Sequence, residues 1–359
     1  MTTDTPTPSP TLNDEATPKL STLDRLLPVW IGRAMVGGIL LGRLIPDLND
    51  TLDKVKVDTV SLPIAIGLLA MMYPVLAKVR YRGISAELGD RRTMGLSLVL
   101  NWVVGPALMF TLAWVFLGDL PELRTGLIIV GLARCIAMVL IWNDLACGNS
   151  ELGAVLVAVN SVFQIVMYTV LGWFYLDLLP GWLGLETQSL DVGMWPIAKS
   201  VLIFLGIPLV AGFLTRTILE ARKGTDWYEH SFLPRIGPIA LYGLLFTIVV
   251  LFSLQGDQIL DRPLDVARVA VPLLIYFTLM WFGSFGAGYR LGLPYDRNTS
   301  VAFTAAGNNF ELGIAVAIAV FGVTSGQALA GTIGPLIEVP VLVGLVYVAL
   351  WAKRRWYGE

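Results

Sequence analysis

Two stretches of this chain are apolar enough to enter a bilayer but too polar to cross it as uninterrupted helices. Residues 128–151, IIVGLARCIAMVLIWNDLACGNSE, carry Arg134, Cys135, Asn143 and Asp144 within an otherwise apolar run. Residues 301–322, VAFTAAGNNFELGIAVAIAVFG, carry Asn308, Asn309 and Glu311 in a similar frame. In hydrocarbon every backbone N–H and C=O needs an internal partner, so irregular backbone survives there only inside protein or along a wet cavity. A charge at the bilayer centre costs about 3 kcal/mol even on the lenient insertion scale. Both stretches are therefore expected to face the interior and each other, building one transport site.

The rest of the chain suits a membrane. It is 55% hydrophobic and 14% charged, against about 25% charged in soluble domains. Ten apolar segments of about 20 residues lie near 28–47, 59–77, 94–117, 125–146, 151–175, 196–218, 235–255, 265–289, 298–322 and 327–351. None shows the alternation of an outer-membrane strand. The predicted fold is an all-α membrane protein of ten transmembrane helices. Residues 1–22, rich in Thr, Pro, Ser and Asp, read as a disordered tail. Lys and Arg are roughly fourfold enriched in the tails and in the loops after even-numbered spans, which puts both termini of this multi-pass cell-membrane protein in the cytoplasm. Two sets of five helices enter with opposite topology, the pattern of an inverted repeat. The predicted repeats are 23–190 and 191–359. Span four then corresponds to span nine, and Cys135 and Asn308 lie about 170 positions apart, as do the starts of spans one and six. Broken helices in corresponding positions are expected to cross. Ala34, Gly38 and Gly42, and Gly206 and Gly212 beside Pro208, read as close helix packing.

A net charge of −2 argues against a nucleic-acid partner. Two cysteines and one histidine, His230 in a charged loop, exclude a disulfide framework and a zinc site. No Ser–His pair, paired intramembrane aspartates or DDxxD run is present, so neither an enzyme nor a cofactor is expected. Glu311 shares a helix face with Asn308 and reads as a proton or cation carrier. Gly307, Asn308 and Asn309 favour left-handed or turn geometry, which would open the helix there. Glu338, between Pro335 and Pro340, reads either as a second proton-carrying acid or as the partner of Arg134. Arg134 stays charged and reads either as a brace paired with Glu338 or Glu311, or as a lure for an anion. Cys135 is either a small apolar filler or, beside that arginine, a soft ligand. Cys147 would lie about 18 Å further along an unbroken helix and does not share an atom with it. Asn160 and Gln164 share a face and suit a hydroxylated substrate, an ion or a neighbouring helix.

GLARCIAMVLIWNDLACGNSELGAVLVAVNSVFQ at 131–164, NNFELGIAVAIAVFG at 308–322 and GPLIEVPVL at 334–342 resemble the arsenical-resistance family of arsenite efflux permeases, in the bile acid/arsenite/riboflavin transporter superfamily. The resemblance implies ten helices in two inverted five-helix repeats, with broken crossed helices at spans four and nine. It implies export of arsenite, in some members antimonite, by proton-coupled antiport across the cell membrane. It matches Cys135 to the family's functional cysteine and Glu311 to its essential glutamate; Cys147 matches neither. On that reading Cys135 contacts As(III), and Asn308, Asn309 and Asn160 hydrogen-bond the hydroxyls of arsenious acid. Glu311, with Glu338, then couples to protons, and Arg134 and Gln164 support the site. The other transporter reading is a sodium-coupled organic anion symporter of the bile acid branch, with Asn160, Gln164, Asn308 and Glu311 around sodium.

Overall fold

The apolar runs are helices in a computed structural model of the chain, which describes residues 27–45, 48, 56–57, 60–79, 90–136, 138–185 and 194–358. The expected tail at 1–22 and the expected repeat boundary after residue 190 lie outside the described residues. Helix α1 (Leu27–Leu44) is followed by β1 (Lys56–Val57) and β2 (Val60–Ser61), a minimal antiparallel pair with Val57 opposite Val60, and by α2 (Leu62–Ala77). Then come α3 (Arg91–Leu117), α4 (Pro121–Leu132), α5 (Met138–Leu145), α6 (Ser150–Trp182) and α7 (Met194–Lys223). The chain continues through α8 (Leu233–Asp261), α9 (Pro263–Arg290), α10 (Tyr295–Ala306), α11 (Phe310–Phe321) and α12 (Gly326–Ala352). Among the described residues, 6 helices are long and apolar enough to cross a membrane: α3, α6, α7, α9, α12 and the run Thr225–Gly256 that leads through α8. They coincide with the expected spans three, five, six, seven, eight and ten. The expected spans four and nine are each two short helices, α4 with α5 and α10 with α11.

Proline explains a recurring distortion. One π turn interrupts each of α3, α6 and α7, at Leu100–Val104, Phe174–Leu178 and Leu202–Gly206, and another, Tyr228–Phe232, precedes α8. Each is followed two residues later by a proline: Pro106, Pro180, Pro208 and Pro234. A proline ring crowds the carbonyl four residues back and brings no N–H. Widening the helix by one residue relieves that clash, and the residue before each proline bonds a carbonyl five back, as Gly105 does to Leu100.

Helices α1, α2, α8 and the C-terminal part of α7 (Ile207–Lys223) pack on one another, and α3–α6 with α9–α12 form a second group. The first turns of α7 (Met194–Val201) lie against α6 and α11 and so join the two. Small residues set the spacing in the first group. A Cβ on Gly42 would sit 2.2 Å from the Ser253 carbonyl oxygen, and one on Gly212 2.8 Å from the Ala77 nitrogen. The packing expected of Gly38, Gly42 and Gly212 is thus observed. Gly206 lies in the π turn instead, with nothing nearer than 3.6 Å to a Cβ.

Candidate functional site

Helix α4 stops where Ala133 turns extended (φ −85°, ψ 120°), and α10 stops where Gly307 does the same (φ −72°, ψ 144°). The two breaks lie antiparallel and pair. Arg134 and Asn308 form a β-bridge, the Cys135 N–H donates to the Gly307 carbonyl at 3.2 Å, and the Asn309 N–H donates to the Ala133 carbonyl at 3.0 Å. Each break thus satisfies backbone groups that the other has freed, which is how irregular backbone persists in an apolar bundle. The last carbonyls of α4 take further donors: Tyr168 donates to Ile129 at 2.9 Å and the Arg134 guanidinium to Gly131. Asn309 starts α11, its Oδ1 accepting the Leu312 N–H at 3.0 Å.

The expected meeting of the two stretches is therefore found, but its backbone geometry is not the expected one. Gly307 and Asn309 are at negative φ, because a paired extended segment aligns its N–H and C=O groups with its neighbour and a left-handed turn would not. Gly307 is needed for closeness: a Cβ there would lie 2.9 Å from the Cys135 Cβ and 3.5 Å from Glu338 Oε1.

A polar chain runs through the crossing. Arg134 Nη1 donates to the Tyr276 hydroxyl at 2.8 Å, Tyr276 donates to Asn308 Oδ1 at 3.3 Å, and the Asn308 N–H donates to Glu338 Oε1 at 3.2 Å. Arg134 and Glu338 are linked through Tyr276 and Asn308; the guanidinium goes to a carbonyl and a phenol in place of the expected acid. Two features account for this. The broken end of α4 presents carbonyls and the negative end of its dipole to a cation, and Gly105 clears the space, since a Cβ there would meet Arg134 Nη1 at 2.6 Å. Glu311 stands in the first turn of α11, the end that favours an anion. It is half-buried, whereas Cys135, Asn308, Asn309, Gln164 and Glu338 are buried.

Asn160 and Gln164 part company. Gln164 Oε1 accepts the Arg134 N–H and so joins the crossing. Asn160, one turn earlier, is turned toward the π turn of α3, where its Oδ1 accepts Trp102 Nε1 at 3.2 Å and its Nδ2 donates to Asn101 Oδ1 at 3.4 Å. A shared helix face leaves the two about 6 Å apart along the axis, enough to give them different neighbours. Cys147 is in the turn between α5 and α6, at φ 54°. That turn is tied to the start of α10: Asn149 Nδ2 donates to Asp296 Oδ2 at 2.8 Å and Tyr295 donates to the Ala146 carbonyl at 2.7 Å.

Four N–H donors at the crossing are buried without a hydrogen-bond partner among the described residues: Arg134 Nε, Gln164 Nε2, Asn308 Nδ2 and Asn309 Nδ2. An unmet buried donor is costly, so such a group suits a ligand rich in oxygen acceptors. Tyr276, Trp102 and Gly105 were not singled out from the sequence. Tyr276 carried a signal: a phenol in the middle of an apolar span needs a partner for its hydroxyl.

Comparison with known proteins adds to this geometry. The pattern of the sodium bile acid symporter family matches residues 65–262. An arsenical-resistance protein, Acr3, from Corynebacterium glutamicum is 61% identical over 333 residues, 93% of this chain and 90% of that protein. Acr3 from Alkaliphilus metalliredigens is 32% identical over 346 residues, 94% of each chain. An uncharacterised transporter from Synechocystis is 37% identical over 358 residues, 93% of this chain and 91% of its own.

Proposed function

Because this chain belongs to the Acr3 family of arsenical-resistance proteins and matches the pattern of the sodium bile acid symporter family, we propose that it exports arsenite across the cell membrane as a proton-coupled antiporter. The observation that carries this reading is the crossing itself, where one cysteine lies beside several unspent N–H donors. Arsenious acid is a neutral trihydroxide around a soft As(III) centre. The Cys135 sulfur bonds to arsenic as one As–O bond breaks, and the departing hydroxide leaves with the thiol proton as water; attack by water reverses the step. Asn308, Asn309 and Gln164 donate to the remaining hydroxyl oxygens. Asn160 acts through the π turn of α3 and not by contact. Antimonite presents the same chemistry.

Glu311 carries the proton: it is deprotonated while substrate is held and is protonated from outside after release. Glu338 holds the Asn308 amide in place. The buried site opens when the group of α1, α2, α8 and the C-terminal part of α7 parts from the other, and transport follows from different affinities in the two states. Counting α1, α2 and the two broken pairs as spans completes ten helices in repeats 23–190 and 191–359, with both termini cytoplasmic.

The test is arsenite uptake into everted vesicles under an imposed proton gradient. Cys135→Ser and Glu311→Gln should abolish uptake, and Cys147→Ser should retain it. Full activity in Glu311→Gln would refute the proton role, and loss in Cys147→Ser alone would move the thiol. The symporter match favours a second reading, sodium-coupled transport of an organic anion. Uptake that needs sodium and ignores the proton gradient would select it.

A further inference from the structure

We propose that the shared end of α9 and α12 is a headgroup site for an anionic phospholipid. Beyond α12 the helix continues through a π turn, Lys353–Tyr357, whose rings pack on Phe285 and Tyr289 of α9. Trp356 packs against Tyr289 (ring centroids 5.8 Å) and against Trp351 (5.6 Å). Trp356 thus joins the other two by a tilted and an edge-on contact, yet the rings stay 45%, 51% and 43% exposed for Tyr289, Trp351 and Trp356. Arginines adjoin them in the chain: Arg290 follows Tyr289, and Arg354 and Arg355 precede Trp356. All three arginines are exposed, and no ion pair is made to them among the described residues.

This combination fits one kind of occupant. Exposed amphipathic rings at the last turn of a spanning helix sit at headgroup depth. Arginines beside such rings attract phosphate, which guanidinium binds in a bidentate fork. A surface that is apolar on one side and anionic on the other is the boundary of a membrane containing anionic lipid; a soluble anion leaves the rings uncovered.

The turn is also coupled to the broken helix. Asn298 Nδ2 donates to the Tyr357 hydroxyl at 2.9 Å, and Tyr357 packs on Tyr295 with centroids 5.5 Å apart. Both partners are in the first turns of α10, whose far end is Gly307. A lipid held over the turn therefore braces the base of the helix that carries half of the crossing.

Native mass spectrometry of the full, detergent-solubilised chain tests this without reference to any transport activity. The probe is an equal mixture of phosphatidylglycerol and phosphatidylcholine. The wild type should retain phosphatidylglycerol in preference. In R290Q/R354Q/R355Q that preference should fall about fivefold for each arginine removed, with phosphatidylcholine retention, and the melting temperature without added lipid, unchanged. The control R222Q/K223Q/R235Q, which removes cations elsewhere, should keep it. Undiminished preference in the first variant, an equal loss in the control, or displacement of the lipid by inorganic phosphate would each overturn the proposal.

Discussion

Gly307 has a backbone conformation open to any residue, so its importance is one of space. Gly307→Ala presses a methyl to 2.9 Å from the Cys135 Cβ, with paired backbone on either side that does not yield. The change should cost about 1–3 kcal/mol as an overpacking defect. Gly286→Ala, on α9 where a Cβ meets nothing within 4 Å, should instead be stabilising by roughly 0.4–1 kcal/mol. Thermal unfolding of both purified variants checks the contrast, and similar shifts for the two would contradict it. Tyr276 is a separate case, because its hydroxyl both accepts from Arg134 and donates to Asn308. Tyr276→Phe leaves a buried guanidinium donor unmet, at a cost of about 1–3 kcal/mol. It should lower both the melting temperature and arsenite uptake; a variant that melts and transports like wild type would show the chain of bonds to be incidental.

At the scale of elements, helix ends do much of the structural work. Asp90 caps α3, accepting the Thr93 N–H at 3.2 Å and its hydroxyl at 2.6 Å, and pairs with Arg297 of α10 at 3.0 Å. The Thr93 hydroxyl, with help from its N–H and from Arg297, holds the Asp90 carboxyl below its ordinary value of 3.8. A depressed carboxyl stabilises the fold above the unfolded value and loses that contribution as pH falls through the folded one. Wild type should therefore lose stability below about pH 4 more steeply than Asp90→Asn, in melts taken at stepwise lower pH. The group is more than a third exposed, so solvent screens the pair and the difference should be small. Equal acid slopes would remove Asp90 from the account. A second device rigidifies the other group: Arg216 donates to the Lys78 carbonyl at 2.9 Å, pairs with Glu220 and Glu229 at 2.8 Å each, and lies 5.2 Å from the Tyr228 ring. It fastens α2, α7 and the turn before α8 together.

For the whole molecule the question is which parts move together. Tyr73 of α2 donates to Thr215 of α7 at 3.1 Å, within one group. Gln255 of α8 donates to the Val323 carbonyl, beyond α11, at 2.6 Å, between the groups. With cysteines at 255 and 323 in a Cys147→Ser background, oxidation should arrest uptake, and a reductant should restore it. Cysteines at 73 and 215 should cross-link without effect on uptake. Arrest by the second pair and not the first would overturn the division into two bodies.

Much of this protein follows from sequence alone, because hydrocarbon leaves the chain few options. Long apolar runs had to be helices, and runs carrying Arg134, Asn308 and Glu311 had to be buried and interrupted. Local chemistry also placed the break at Gly307–Asn309. Helix packing, by contrast, settles where polar side chains spend their hydrogen bonds. Periodicity put Asn160 and Gln164 on one face, yet a turn of helix separates a partner in α3 from a partner in the break after α4. Charge balance suggested that Arg134 meets an acid, yet freed carbonyls and a phenol from α9 lay nearer. Those outcomes depend on which helix packs beside which, and helical spacing within one segment carries no record of its neighbours.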